Sequence, residues 1–242
     1  MCPGHPITMP MDQPQTCHIV TGRQLARRNI EACIASRSMP VRLVDCDLDG
    51  ADLSRLDLSG FMFERCALIE ADLSNASAVG TIWTSCRARK TILRGIDLTD
   101  AVFRSGDWNN GDWQASRIAG AAFTGVKLTG SGFKEAKTLG ATFQDCLMQS
   151  CGLLGLSFRK AKLGRCDMSR ADLRECDFRD AMFDAGSSIA GSAIAGARFD
   201  GADLREVDLS GHGIDSIKTL TGARISAAQA AGMVAGAGLR VG

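Results

Sequence analysis

Tyrosine is absent from this 242-residue chain, and no charge of one sign dominates it, since 28 Lys and Arg face 27 Asp and Glu. A near-zero net charge argues against a protein that binds nucleic acid through its bulk charge. No stretch approaches the ~18 consecutive apolar residues of a membrane-spanning helix. The first twenty residues also lack the basic flank and apolar run of a secretory signal. We therefore expect a cytoplasmic protein that neither enters a membrane nor contacts nucleic acid directly.

Motifs that carry catalysis are missing as well. The histidines His5, His18 and His212 form no His-Glu-x-x-His pattern. There is no Gly-x-Ser-x-Gly nucleophile elbow and no Gly-x-x-x-x-Gly-Lys-Ser/Thr phosphate loop. Cys2, His5, Cys17 and His18 have the ligand chemistry of a zinc site, but they lie in a proline-rich segment. We expect no enzyme activity, no catalytic residue, no cofactor and no metal site.

A five-residue period dominates the sequence. Every fifth residue from Leu43 to Phe183, here called a centre, is Leu, Phe, Ile, Met or Trp except at Ala78, Ala88 and Thr138. This period fits neither an amphipathic helix, at 3.6 residues, nor a flat strand, at 2. Small residues lie two positions before each centre, and Gly often lies two positions after it, as tight turns prefer. The pattern predicts a solenoid with short straight sides, each turning one large and one small side chain inward.

Aromatic residues recur at a longer period of twenty. Six of the eight centres in register with Leu43 are aromatic and should form a core ladder, namely Phe63, Trp83, Phe103, Phe123, Phe143 and Phe183. This spacing predicts four pentads per coil, with coils stacked about 4.8 Å apart. The predicted fold is an all-β solenoid, a right-handed quadrilateral β-helix with short helical caps at both ends.

The unusual composition suits such a narrow interior. Seven of the ten cysteines lie in the small column, where a free thiol acts as a compact apolar filler. They are Cys46, Cys66, Cys86, Cys146, Cys151, Cys166 and Cys176. A metal or redox ladder is the alternative interpretation for the five that share one side. A tyrosine hydroxyl at a centre would lack a hydrogen-bond partner in a dry core, which accounts for its absence.

Two tryptophans allow two interpretations. Trp108 and Trp113 are centres, and each follows a glycine of the small column that leaves volume for an indole ring. The alternative is that residues 105–113 project as a recognition loop, because Asn110-Gly111 is a strong turn signal.

The chain divides into four predicted segments. Residues 1–20 hold four of the five prolines and should be a flexible tail, and residues 21–40 should form an N-terminal capping helix. Residues 41–217 should form the β-helix, with a phase slip of one residue near 185–187. Residues 218–242 should contain a C-terminal helix that caps the last coil or pairs with a second copy.

Local signals support these caps. Thr21-Gly-Arg-Gln24 and Ser226-Ala-Ala-Gln229 are capping boxes, each of which predicts the start of a helix. The first helix should seal the coil with Leu25, Ile30, Cys33 and Ile34. After the phase slip, the predicted centres are Ile189, Ile194, Phe199, Leu204, Leu209 and Ile214.

Outward positions supply the candidate binding surfaces. An apolar stripe, Met62, Ile82 and Val102 with Ala122 and Met182, is either a partner-binding strip or a surface covered by the N-terminal arm. The remaining partner-binding candidates are the basic cluster Arg87, Arg89 and Lys90, which is alternatively a solvated patch, and the two indoles Trp108 and Trp113. Candidates for a homodimer interface at the C-terminal end are Ile225, Ala230, Met233, Val234, Leu239 and Val241.

The repeats resemble the pentapeptide repeat family over about residues 41–216. The resemblance rests on Ala51-Asp-Leu-Ser-Arg55, Ala71-Asp-Leu-Ser-Asn75, Ala171-Asp-Leu-Arg-Glu175 and Ala202-Asp-Leu-Arg-Glu206. Residues 71–88 and the tail from Gly222 are similar to the quinolone-resistance branch. That resemblance implies a head-to-head dimer through the C-terminal helix. It also implies a rod that mimics duplex DNA and protects DNA gyrase or topoisomerase IV from inhibitors such as quinolones.

Charge separates two hypotheses about the protein partner. DNA mimicry requires a negative surface, yet residues 41–185 carry 19 Lys and Arg against 20 Asp and Glu. The first hypothesis is a topoisomerase-protecting protein, which an acidic stripe along one side of the rod would favour. The second is a scaffold or interaction module for another protein, bound through the apolar stripe.

Overall fold

The computed structural model describes residues 18–36, 39–236 and 238–239. Nine short strands form one parallel sheet in chain order. They are β1 (His18–Thr21), β2 (Val41–Val44), β3 (Met62–Glu64), β4 (Ile82–Thr84), β5 (Val102–Arg104), β6 (Ala122–Thr124), β7 (Thr142–Gln144), β8 (Lys162–Gly164) and β9 (Met182–Phe183). From β2 onward each strand pairs with the residues twenty positions later, as Phe63 does with Trp83.

The other three sides of each coil follow the same register. Single-residue parallel bridges join Asp47 to Ala67, Asp52 to Asp72 and Asp57 to Ser77, each again twenty residues apart. Each coil therefore has one side in the sheet and three sides held by these bridges. The predicted four-sided β-helix is confirmed.

The centres fill the interior. All 29 centres from Leu43 to Phe183 are buried. The aromatic rings in the register of the sheet stack along the axis, with centroids 3.9 Å apart for Phe63 and Trp83 and 4.5 Å for Phe103 and Phe123. Trp108 meets the ladder edge-on, at 89° to Trp83. Offset stacks and edge contacts are the arrangements that aromatic rings prefer.

Left-handed backbone forms the corners of the coil. Nineteen non-glycine residues have a positive φ, and each lies two positions after a centre, as do Arg55 (φ 61°) and Ala115 (φ 56°). Asp side chains just before the centres accept bonds from nearby amides, as Asp52 does from Ser54 N at 2.9 Å. These carboxylates thus accept main-chain hydrogen bonds within the turns, as Asp side chains commonly do.

The N-terminal segment differs from the prediction. Strand β1 pairs with β2, so the chain is ordered as a strand within the segment assigned to the tail. The box at Thr21–Gln24 starts no helix, because Gly22 (φ 60°) turns the chain and Gln24 continues the ladder by bridging to Asp47. Helix α1 spans Arg27–Ala35 instead.

Helix α1 closes the first coil with apolar side chains. Ile30 is fully buried, Leu25 and Cys33 are nearly so, and Ile34 packs partly buried against the same core. At the start of the helix, Ala26 N donates a hydrogen bond to Asn29 Oδ1 at 2.8 Å. The four residues predicted to cover the first coil therefore do pack against it, although the helix starts later than predicted.

At the C-terminal end the ladder shifts and then stops. Asp167 bridges to Ser188, twenty-one residues on, and Gly186 (φ 88°) sits in the turn that holds the extra residue. The new centres from Ile189 to Leu209 are buried, but Ile214 is exposed in a 3-10 helix, Ile214–Ser216. The prediction of Ile214 as a centre is wrong because the regular coil ends at His212.

Helix α2 (Ala227–Gly236) covers the last coil. Its capping box is formed, with Ser226 N donating to Gln229 Oε1 at 2.6 Å and Gln229 N donating to Ser226 Oγ at 3.2 Å. Gln229 Nε2 also donates to the carbonyls of Leu204 and Val207, at 2.8 and 2.7 Å. One side chain thus starts the helix and satisfies carbonyls of the coil beneath it.

Candidate functional site

The apolar stripe forms one column on the face of the sheet. Met62, Ile82 and Val102 pair in register on β3, β4 and β5, and each is half-buried. Farther along the same column Met182 is 50% exposed. Strand β1 extends the sheet beside β2. The column thus presents outward apolar side chains held at fixed spacing by the ladder.

The basic cluster is matched by carboxylates. Arg87, Arg89 and Lys90 are exposed on the side next to the sheet. Lys90 Nζ lies 3.0 Å from Glu70 Oε1, and Arg89 Nε lies 3.9 Å from Asp107 Oδ2. Two of the three cations therefore have an acidic neighbour, which weakens any field the cluster presents to a partner.

Trp108 and Trp113 are buried completely and cannot contact a partner. The interpretation of residues 105–113 as a projecting loop is wrong, since these residues continue the ladder. Glycine makes room for both rings. A Cβ at Gly106 would lie 2.7 Å from Cys86 O, and one at Gly111 would lie 2.8 Å from Trp113 Nε1.

The indole N–H groups refine the explanation of the missing tyrosine. Trp83 Nε1 donates to Thr81 Oγ1 at 2.8 Å, whereas Trp108 Nε1 and Trp113 Nε1 have no partner among the described residues. The core thus buries two indole N–H groups without a partner among the described residues, at a cost of about 1–3 kcal/mol each. A dry interior disfavours tyrosine but does not by itself forbid a polar ring.

The cysteines lie in the core as free thiols. Those of the small column are buried, and their Sγ atoms approach main-chain carbonyls, as Cys151 does to Leu128 O at 3.0 Å. Burial raises the pKa of Cys151 and of Cys176 to about 12 and also raises the pKa of Cys46. A side-chain hydrogen bond with Cys86 lowers the pKa of Cys66, and one with Cys166 lowers the pKa of Cys146. Protonated buried thiols are poor nucleophiles and poor ligands. In the described part of the chain no three His, Cys, Asp or Glu residues converge as metal ligands, and Cys2, His5 and Cys17 lie outside it.

The C-terminal candidates divide between cap and surface. Met233 is 3% exposed and packs against its own coil, so its assignment to a dimer interface is corrected. Ile225, Ala230 and Val234 are half-buried, and Leu239 is 56% exposed. Val241 lies outside the described residues. A cavity of about 480 Å³ lies where α2 meets the last coil.

Acidic and basic residues are unevenly distributed along the rod. Residues 41–75 carry eight Asp and Glu against three Arg, whereas residues 121–165 carry seven Lys and Arg against two acids. The neutral total therefore hides an acidic patch on the first two coils, which we call the acidic end. Its carboxylates lie on several sides, and the rod carries no continuous acidic stripe over residues 41–185. Among the described helices, none has the length and apolar character to cross a bilayer.

Comparison with known proteins gives a match to one family model and matches to several solved structures. The family model for pentapeptide repeats matches residues 66–104 and 153–185, with eight copies. No curated protein sequence is significantly similar to the chain.

Among solved structures, a trypsin-treated variant of QnrB1, a plasmid-mediated fluoroquinolone resistance protein, has a TM-score of 0.55 at 18% identity. The match covers 93% of this chain and 100% of that one. Full-length QnrB1 also scores 0.55, at 16% identity, over 93% and 99% of the two chains. HetL, a protein involved in heterocyst differentiation regulation from the cyanobacterium Nostoc, scores 0.40 at 17% identity, over 81% and 91%. The two QnrB1 matches agree with the described coil in fold.

Proposed function

Because this chain carries pentapeptide repeats and the four-sided coil into which they fold, we propose that it is a non-enzymatic rod that binds another protein. We further propose that the partner is a bacterial type II topoisomerase, DNA gyrase or topoisomerase IV, which the rod protects from inhibitors such as quinolones. The observation that supports this choice is the match to QnrB1, which spans nearly the whole of both chains.

The acidic end is the part of the rod suited to a basic DNA-binding surface. Asp47 accepts a hydrogen bond from Asp49 N at 3.0 Å, and Asp72 accepts one from Ser74 N at 2.8 Å. Such carboxylates are already held in place, so binding a cationic partner costs them little conformational entropy. Coils about 4.8 Å apart also present these charges at regular steps, as a nucleic acid presents its phosphates.

A supercoiling assay tests this proposal. Gyrase inhibited by a quinolone should regain supercoiling activity when the folded protein is added at about micromolar concentration. The variant Asp47→Asn/Asp49→Asn/Asp72→Asn keeps side chains of similar shape and should lose the effect. A matched control, Asp167→Asn/Asp172→Asn/Glu175→Gln, removes three carboxylates far from the acidic end and should keep it. Absence of any effect by the parent protein would overturn the proposal.

A scaffold for a different protein is the second candidate function. The observation that favours it is the apolar column of Met62, Ile82 and Val102 on a rod without an acidic stripe. Under this proposal Ile82→Asp abolishes capture of the partner from lysate, and the parent protein leaves gyrase unaffected. Loss of gyrase protection in Ile82→Asp would instead place the column in the topoisomerase interface.

A further inference from the structure

One side of the coil opens between two successive turns. On the side that contains Asp57, bridges join Arg117 to Lys137 and Ser157 to Asp177, but none joins Lys137 to Ser157, although both are described. The bridges on the sides of Asp47 and Asp52 continue through the same coils. Among the three bridged sides, the interruption is therefore confined to this one.

Backbone hydrogen bonds are missing at the same place. Gly120 N donates to Leu139 O at 2.9 Å, and Lys160 N donates to Arg179 O at 2.9 Å. The equivalent bond from Gly140 N to Arg159 O is absent from the described ladder, as is the bond from Ser157 N to the coil before it. In the sheet, β7 and β8 pair at two positions where β6 and β7 pair at three, so Lys162 lacks its partner on β7 while it still pairs with Met182 on β9.

Thr138 explains the opening. It occupies a centre that elsewhere on this side is apolar, and its Oγ1 donates to Ser157 O at 2.7 Å. In the preceding coil the corresponding carbonyl, Lys137 O, receives the backbone N–H of Ile118 at 2.9 Å. A hydroxyl thus takes the carbonyl that a main-chain amide would use, and the two coils separate. The adjoining Leu139 is 85% exposed.

The result is a cleft between residues 138–142 and residues 157–162, with a volume of about 660 Å³. Arg159, Lys160 and Lys162 line it. None of the three has a carboxylate within ion-pair distance among the described residues. The nearby acidic residues have other partners. Glu135 pairs with Lys134, Asp145 with Arg165 and Asp177 with Arg179. Asp180 lies one coil beyond Lys160.

We propose that this cleft binds the phosphate group of a small phosphorylated ligand. Phosphate oxygens accept bonds from guanidinium and ammonium groups and from main-chain amides that lack another acceptor. The cleft supplies all three donor types, and its volume lies in the range of small-ligand sites. Its cations lie in the basic middle of the rod, away from the acidic end. Ligand binding here is therefore independent of the proposed topoisomerase contact.

Amide NMR spectra of the full chain test the proposal, with pyrophosphate and ADP as probes and adenosine as the phosphate-free comparison. The Gly140 amide should shift on addition of pyrophosphate or ADP, whereas the Gly80 amide, bonded to Thr99 O at the same corner of an earlier coil, should not. Adenosine should shift neither. A response to only one phosphate probe would show whether the phosphate is taken free or as part of a nucleotide, and it supports the site.

Two exposed variants make the test specific. Arg159→Gln/Lys162→Gln should weaken binding by at least about tenfold. Lys134→Gln, which removes a cation already paired with Glu135, should leave it unchanged. Equal weakening by both variants, or no shift of Gly140 at about 1 mM probe, would overturn the proposal. Gyrase protection measured on the same variants should be unaltered, so each proposal fails or stands by itself.

Discussion

At the scale of single residues, the coil constrains the side chain at its centres and the backbone conformation at its corners. A centre must be large and apolar, so the sequence reveals it directly. A corner requires left-handed backbone, and residues as different as Arg55, Ala115 and Glu135 all adopt it. Because the ladder imposes this conformation on whatever residue is present, at ~1–2 kcal/mol for a non-glycine, residue type alone identifies only the glycine corners.

Gly106 provides the sharpest test of packing at this scale. Gly106→Ala should lower the free energy of unfolding by about 2 kcal/mol or more, since the new Cβ would clash with a main-chain carbonyl at a φ of 103°. Chemical denaturation monitored by circular dichroism measures the change. The control Gly132→Ala places a Cβ with nothing within 4 Å and should change stability little. A stable Gly106→Ala would contradict the tight approach described here.

Paired carboxylates predict a loss of stability in acid. Hydrogen bonds from Arg179 and Arg205 lower the pKa of Asp177 and of Asp203 to about 2, from the ordinary 3.8. A lowered pKa in the folded state stabilises the fold above the unfolded-state pKa, and this contribution is lost as pH falls. Unfolding free energy should therefore decrease between pH 4 and 2. Asp177→Asn should reduce that decrease, and an identical pH profile would contradict the pairing.

At the scale of elements, the strands and the start of α2 were predictable from the sequence, whereas the N-terminal segment was not. The period-five pattern places every strand from β2 to β9, because core packing and ladder register select the same residues. The box at Thr21–Gln24 has the right residue types for a helix start, but strand pairing of His18–Thr21 overrides it. The opening at Thr138 was visible only as an irregular centre. Its consequence depends on a hydrogen bond to a residue nineteen positions away.

Gln229 should be the most sensitive residue of the C-terminal cap. Gln229→Leu removes the donor to two carbonyls of the last coil as well as the capping box, so we expect a loss of about 1–3 kcal/mol. Thermal unfolding measures it. Gln114→Leu replaces a glutamine for which no side-chain hydrogen bond is described and is the matched control. Equal melting temperatures for the two variants would contradict a stabilising role of the Gln229 hydrogen bonds.

At the scale of the whole molecule, a net charge near zero conceals an uneven distribution of charged residues along the rod. The net charge alone predicts a rod without a distinctive electrostatic field, whereas the coil concentrates acidic residues near its start and basic residues near its middle. Sequence could give both counts, but only the coil register shows which charges share a side and which are neutralised by a neighbour. The candidate surfaces changed for the same reason, because Trp108, Trp113 and Met233 face inward.

The assembly state depends on the surface beside α2. We expect a homodimer through the C-terminal end, in which Leu239, 56% exposed, is covered by the second copy. Light scattering after size-exclusion chromatography should give about twice the 25.6 kDa chain mass. Leu239→Asp should give the single chain mass, while Ile19→Asp, at the opposite end, should not. A parent protein that runs as one chain would contradict the interface.

The two end caps also determine that the rod is finite. Each coil offers the same row of amides and carbonyls to the next, and nothing in the repeat itself limits how many can be added. With α1 or α2 removed, the terminal coil of one molecule would match that of another, head to tail, and such a contact does not close on itself. The two terminal helices thus block the head-to-tail addition of further molecules that would produce a fibre.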